Sequence, residues 1–271
     1  MPGTRPPSEP LPACLDGEVV AGDRALIPAS DDGLLRGDGV FEVVRAYRGH
    51  PFCLDEHVAR LRRSADIVHL AVDTDAVGND VARVLDACPG FDGAIRVVLT
   101  RGGRRIVLLE ALPIQPSAIA LASVTYAPTR VLDGAKTLSY GANVLATRLA
   151  QERGYDDALL TTPHGRVLEA PTSSFFWASG GVLRTPPLDE RILASITRSV
   201  LLGLLDIREE PCPPAALASA DEAFVASSLR EVLPVRAIDD RSLEAPGPLT
   251  RAAQTALRDR IADATGSGAV S

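Results

Sequence analysis

The sequence predicts a mixed α/β protein built from two domains. Three observations carry that prediction. Apolar runs of strand length alternate with segments of helical period, glycine and proline punctuate them, and residues 126–135 (YAPTRVLDGA) break the periodicity in mid-chain. The boundary is placed there, giving an N-terminal α/β domain over 1–126 and a C-terminal α/β domain over 127–271. With 271 residues, 46% of them hydrophobic, the chain has enough apolar material to fill both cores.

Residues 1–12 are rich in proline and lack an apolar stretch, so they read as a frayed leader and not as a signal peptide. Residues 39–47 (GVFEVVRAY) alternate as a strand and end in the turn Arg48-Gly49-His50-Pro51. Asp55 then caps a helix to about Leu70, with Val58, Leu61, Ala65 and Val68 at helical period. A second helix covers 77–87. Runs 94–100, 105–112 and 118–125 are strands, separated by Gly102-Gly103 and by Pro113 and Pro116. In the second half, Lys136 precedes a helix over 139–153, and short strands follow at 157–161, 166–169, 173–177 and 182–184. A helix from Ser195 to about Leu205, strands at 222–226 and 232–237, and a helix from about Pro248 complete the chain, with Gly266 onward disordered.

Composition removes several classes of function. A formal net charge of −7 gives no general attraction to phosphate backbones, which argues against nucleic acid. No apolar run approaches the ~20 residues of a membrane helix. The cysteines Cys14, Cys53, Cys88 and Cys212 have no CxxC spacing, and His50, His57, His69 and His164 no HExxH pattern. Free thiols in a reducing cytoplasm and no bound metal are the expectation.

The basic residues hold the informative anomaly: 27 of the 28 are arginine, and the one lysine is Lys136. A GC-rich codon bias accounts for the scarcity of lysine but not for the survivor. An arginine stays protonated at any ordinary pH, whereas a lysine amine can lose its proton and attack a carbonyl.

An amine of that kind suits pyridoxal 5'-phosphate, which also needs a carboxylate at its ring nitrogen and donors for its phosphate. Glu169 ends a short strand among apolar neighbours and is the candidate carboxylate, or else an ordinary strand-end glutamate. Ser195-Ile196-Thr197 open an apolar helix, either as a plain N-cap or as an anion site. Arg60 in HVARLRRSA offers a bidentate grip, though Arg62 and Arg63 beside it read as surface. Ser227 and Ser228 follow an apolar strand, as phosphate donors or as a polar turn.

In order, DDGLLRGDGVFEVVRAYRG (31–49), LDEHVARLRRSA (54–65), Lys136, GYDDALLTTPHGRVLEAPTSSFFW (154–177), GVLRTPPLDERILASITR (181–198) and DEAFVASSLREVLPV (221–235) form a specific combination. It resembles the class IV, or fold type IV, pyridoxal-phosphate enzymes, and the resemblance spans about residues 15–260. That family includes branched-chain and D-amino-acid aminotransferases, R-selective amine transaminases and aminodeoxychorismate lyases. The resemblance implies a small N-terminal α/β domain, a larger barrel-like C-terminal domain, and a cofactor between them in a homodimer. It implies Lys136 as the Schiff-base lysine and Glu169 as the partner of the pyridine nitrogen. Arg60, the amides of Ile196 and Thr197, and the Ser228 hydroxyl become phosphate donors, and Leu193 the residue packed on the ring.

The same lysine would take the substrate's α-proton in a transaminase, which acts on amino and oxo acids, and in the lyase, which releases pyruvate and p-aminobenzoate. Amino-acid transamination is the expectation, with the lyase and a non-catalytic cofactor-binding relative as alternatives. Arg36, Arg45, Arg101 and Arg104 are candidate anchors for a substrate carboxylate. Relative to branched-chain enzymes, Phe41-Glu42-Val43-Val44-Arg45 departs from FEG followed by arginine one residue on, Gly141 replaces a tyrosine, and Ser174 an asparagine. The role of Tyr140, one position early, is open.

Overall fold

A computed structural model describes residues 10–127 and 129–266, and these fall into two compact units: residues 10–112 with Lys136–Leu138, and residues 113–127 and 129–135 with 139–266. The predicted leader and disordered tail lie largely outside the described residues. Pro12, at the end of the predicted leader, already begins a strand, and Gly266 lies in a turn.

The first unit comprises β1 (Pro12–Leu15), β2 (Glu18–Ala21), α1 (Asp32–Arg36), β3 (Gly39–Tyr47), β4 (His50–Pro51), α2 (Leu54–Ile67), α3 (Thr74–Asp86), β5 (Gly93–Thr100) and β6 (Arg105–Glu110). Its strands form an antiparallel sheet in the order β2-β1-β6-β5-β3-β4. Leu61 and Ala65 of α2, with Val77, Val81 and Val84 of α3, bury against Val44, Ile95, Val97 and Val107 of the sheet. Helix α2 begins one residue before the predicted Asp55. Its N-cap is Cys53, in the left-handed region at φ 55° with no side-chain cap, while Asp55 sits in the first turn, where its charge suits the helix dipole.

The second unit comprises β7 (Ile119–Thr125), α4 (Gly141–Glu152), β8 (Asp157–Thr161), β9 (Ser174–Ser179), β10 (Val182–Thr185), α5 (Ile196–Leu204), β11 (Ile207–Glu209), α6 (Pro214–Ala218), β12 (Glu222–Ser227), β13 (Glu231–Ile238), β14 (Arg241–Ser242) and α7 (Pro248–Ala264). One mixed sheet runs β11-β10-β9-β12-β13-β7-β8, with β14 paired to β13. Its core packs Phe175, Trp177, Val225, Leu233 and Val235. Ala146 and Ala150 of α4 meet Ala122, Ala158 and Leu160, and alanine at these contacts lets the helix lie close to the strands.

Two expectations change. The units divide at Leu112/Pro113 and not after Tyr126, because β7 pairs in parallel with β13 and β8, both far along the chain. The expected strand at 166–169 is absent: Val167 makes isolated bridges to Thr161 and Cys212. No helix among the described residues is long and apolar enough to cross a membrane.

Candidate active site

In the first unit the lysine is placed by its main chain. Residues 136–138 run beside the start of β3. The Phe41 amide donates to the Lys136 carbonyl at 3.1 Å, the Leu138 amide donates to the Gly39 carbonyl at 2.9 Å, and Val40 and Thr137 form an antiparallel bridge. Gly39 makes this approach feasible. A Cβ there would stand 2.3 Å from the Leu99 carbonyl oxygen and 2.7 Å from Leu138 Cδ1. The Lys136 amide donates to Ser64 Oγ at 3.0 Å, and Nζ lies 4.3 Å from the centroid of the Phe41 ring. Ser64 is fully buried on α2, four residues beyond Arg60, so the two occupy one face of that helix.

Arg60 is not a surface arginine. It is 5% exposed and forks onto Glu42 of β3, with Nε donating to Oε1 at 2.6 Å and Nη2 to Oε2 at 2.7 Å. His57, a turn earlier on α2, lies with Nδ1 2.7 Å from the same Oε2, and its Nδ1–H donates to the carboxylate. Burial alone would raise the Glu42 pKa. The bonds and charges of Arg60 and His57 outweigh it and bring the carboxyl from its ordinary 4.5 down to about 2. A carboxylate depressed in the fold stabilises the native state above its unfolded value and loses that contribution as pH falls. Between about pH 4.5 and pH 2 this group should therefore withdraw about 3 kcal/mol of stability. Thermal denaturation as a function of pH checks this: Glu42→Gln should show a shallower fall over that window than the parent.

The candidate carboxylate anchors divide. Arg45 is buried against its own sheet, bonding the Ala46 and Gly93 carbonyls and Asp92, with its guanidinium 4.2 Å from the Tyr47 ring centroid. Arg101 grips Asp38 through Nε at 3.0 Å and Nη2 at 3.1 Å, and also donates to the carbonyls of His69 and Val68. Arg45 and Arg101, two of the expected anchors, are thus each engaged with several acceptors. Arg104 pairs with Asp16. Among the described residues Arg36 pairs only with Asp32, one turn back on α1, and its side chain is 70% exposed.

In the second unit, Glu169 is held at both ends. Its carbonyl accepts from the Leu160 amide at 2.9 Å, and its Oε1 accepts from the Leu193 amide at 3.1 Å. Sequence reasoning linked Glu169 and Leu193 only by resemblance; the bond between them is a finding of the structure. Tyr126 lies close enough for its phenol to be pushed up, first by burial and then by the Glu169 charge. Its hydroxyl donates to Asn143 Oδ1 at 3.3 Å, and Asn143 Nδ2 donates to the Pro171 carbonyl at 2.9 Å. The Tyr140 hydroxyl donates to that same carbonyl, two residues after Glu169. Tyr140 therefore braces the turn that follows the carboxylate. The Ser174 hydroxyl, where the resemblance expected an asparagine, is buried without a hydrogen-bond partner.

Ser195 is the N-cap of α5, its Oγ accepting from the Arg198 amide at 3.2 Å. That leaves the amides of Ile196 and Thr197 at the helix start, where an α-helix supplies no acceptor of its own. Ser228 lies in the turn joining β12 to β13, whose ends pair Ser227 with Glu231. Ser227 is occupied in that turn, its Oγ accepting from the Arg230 amide at 3.3 Å.

Comparison with known proteins places these residues in a family. Residues 39–238 match the class IV amino-transferase family model. The D-alanine aminotransferase of Bacillus licheniformis is 32% identical over 92% of this chain and 97% of its own. Among solved structures, the branched-chain aminotransferase of the archaeon Thermoproteus uzoniensis superposes with a TM-score of 0.86 at 28% identity, covering 95% of this chain and 96% of its own. The 4-amino-4-deoxychorismate lyase of Pseudomonas aeruginosa gives a TM-score of 0.76 at 28% identity, covering 93% and 98%. The fold is that of the type IV transaminases. The chain belongs to the class IV aminotransferase family.

Proposed function

We propose that the protein is a pyridoxal-phosphate-dependent aminotransferase that moves an amino group between an amino acid, of D- or branched-chain type, and a 2-oxo acid. The observation that carries this is the way α2 and β3 together hold both the only lysine and a buried arginine. Ser64 receives the Lys136 amide one turn along α2 from Arg60. The remaining donors suit the same group: a helix N-terminus at Ile196 and Thr197, the Ser228 hydroxyl, and a carboxylate at Glu169.

Pyridoxal phosphate, when bound, supplies a ring that stabilises negative charge at the substrate's α-carbon. Lys136 Nζ would hold the group and, when free of it, would accept the α-proton and return it. Glu169, oriented by the Leu193 amide, would keep the ring nitrogen protonated, and the Leu193 side chain would pack on the ring. Arg60, the amides of Ile196 and Thr197, and Ser228 would hold the phosphate. For the substrate carboxylate, Arg36 is the anchor we favour over Arg45 and Arg101. Its exposed pair with Asp32 is weak and can be exchanged, whereas the other two already have several acceptors. A cytoplasmic homodimer completes the proposal, supported by the exposed apolar side chains Leu34 and Leu35 on α1 and Val144, Leu145 and Leu149 on α4.

Likeness to the lyase favours a second reading, in which pyruvate is expelled from aminodeoxychorismate. Holoenzyme mixed in turn with L- and D-amino acids separates the two. D-Alanine or L-leucine should convert the yellow cofactor to its pyridoxamine form, followed by absorbance. Silence toward every amino acid, with pyruvate released from aminodeoxychorismate, would establish the lyase instead. Silence toward both substrates would mark a binder without turnover.

A further inference from the structure

We propose that Glu42 and His57 are positioning residues that aim the Arg60 guanidinium at the cofactor phosphate; this rests on the reading of Arg60 as a phosphate donor. Three buried polar side chains meet at one place in the first unit: Glu42 is 1% exposed, His57 2% and Arg60 5%. Glu42 comes from the middle of a strand whose other residues are largely apolar, GVFEVVRAY, where a charge is costly unless fully paired. Its carboxylate takes the Nε and Nη2 edge of Arg60 in a planar fork, at 2.6 and 2.7 Å. That geometry fixes the guanidinium plane and the direction in which its opposite edge points. His57 holds Oε2 from α2 at 2.7 Å, which keeps the carboxylate from turning about its own axis.

The charges lead to the same role. Glu42 and Arg60 neutralise one another formally, so the pair offers a phosphate little net attraction. What it offers is a directed N–H group that is already in place and loses little side-chain freedom on binding. On this account Arg60 acts through geometry, and a lysine at position 60 does not substitute for it. A merely structural role for Glu42 makes a different forecast: equal effects on every form of the cofactor.

The test compares pyridoxal phosphate with pyridoxal, which bonds the same lysine but has no phosphate. Dissociation constants are measured by absorbance titration of apoprotein prepared from parent, Glu42→Gln, Arg60→Ala, Arg60→Lys and the double variant Glu42→Gln/Arg60→Ala. Glu42→Gln should weaken pyridoxal phosphate by about 10- to 100-fold, as loss of a supporting partner does at other anion and metal sites, and leave pyridoxal unchanged. The double variant should be no worse than Arg60→Ala, and Arg60→Lys no better than Arg60→Ala. If Arg60→Ala loses pyridoxal phosphate affinity while folded Glu42→Gln keeps it, the positioning role is refuted and the phosphate reading stands. If Arg60→Ala binds pyridoxal phosphate like the parent, the phosphate reading itself is refuted. Equal weakening of pyridoxal and pyridoxal phosphate in Glu42→Gln would also overturn the proposal. Should Glu42→Gln fail to fold, Glu42→Asp carries the same comparison, since it keeps the charge but draws it back by one methylene.

Discussion

Lys136→Ala should yield a folded protein with no absorbance band that borohydride can fix, and with transaminase activity lower by at least about 10⁴-fold. Folding should survive because the anchors that place this segment belong to the main chain. The Lys136 carbonyl accepts from Phe41, its amide donates to Ser64, and the neighbouring Thr137 bridges to Val40. Alanine keeps all of them. Activity should not survive, because the side chain has two tasks that no neighbouring arginine can take over. It must reach a neutral state to bond an aldehyde, and it must later accept a proton from carbon. Lys136→Arg should therefore be as inactive as Lys136→Ala, although it preserves positive charge over the Phe41 ring. Mass spectrometry after borohydride reduction gives the check. A cofactor-sized mass increment retained on Lys136→Ala would place the covalent link elsewhere and remove the foundation of the proposed function.

Much of this arrangement was legible in the sequence where a local rule governs it. The strand at 39–47 and the helix opening after Ser195 formed where alternation and N-cap chemistry place them. The lone lysine was conspicuous because its chemistry differs from that of the arginines around it. What escaped was set by contacts between distant segments. The allegiance of β7 is decided by parallel pairing with β8 and β13, which no local pattern announces. The β1–β2 hairpin was missed although Asp16-Gly17 is a strong turn signal, because each flanking strand has only four residues. Glu42 was the clearest missed signal. A glutamate inside a nearly continuous apolar strand demands a buried cation, and Arg60 and His57 stand on the next helix, one turn apart. The same reasoning, applied to Arg45 in that strand, would have sought Asp92 as its partner before a substrate.

Glu169→Gln is the second large effect expected, and it separates the charge of this residue from its shape. The segment is fixed by main-chain bonds to β8, with the Glu169 carbonyl accepting from the Leu160 amide at 2.9 Å and the Leu168 amide donating to the Leu160 carbonyl at 2.8 Å. Glutamine can still accept from the Leu193 amide through its side-chain oxygen, so the turn before α5 should keep its place. What disappears is the negative charge that would hold the ring nitrogen protonated. The cofactor should still load onto Lys136, while kcat falls by on the order of 100-fold or more, comparable to losing one preorganised electrostatic contact at a reacting centre. Tyr126 supplies a readout independent of turnover. Its phenol is raised first by burial and then by the Glu169 charge. Removing the charge but not the burial should lower its ionisation midpoint in an ultraviolet titration of apoprotein, short of the value for an exposed tyrosine. A Glu169→Gln enzyme with parental kcat and a lowered Tyr126 midpoint would show that the charge is present at this site but plays no part in proton transfer. Loss of kcat together with the lowered midpoint would tie the chemistry to that charge, and the unpaired Ser174 hydroxyl would then be the next place to add a hydrogen bond and look for a gain.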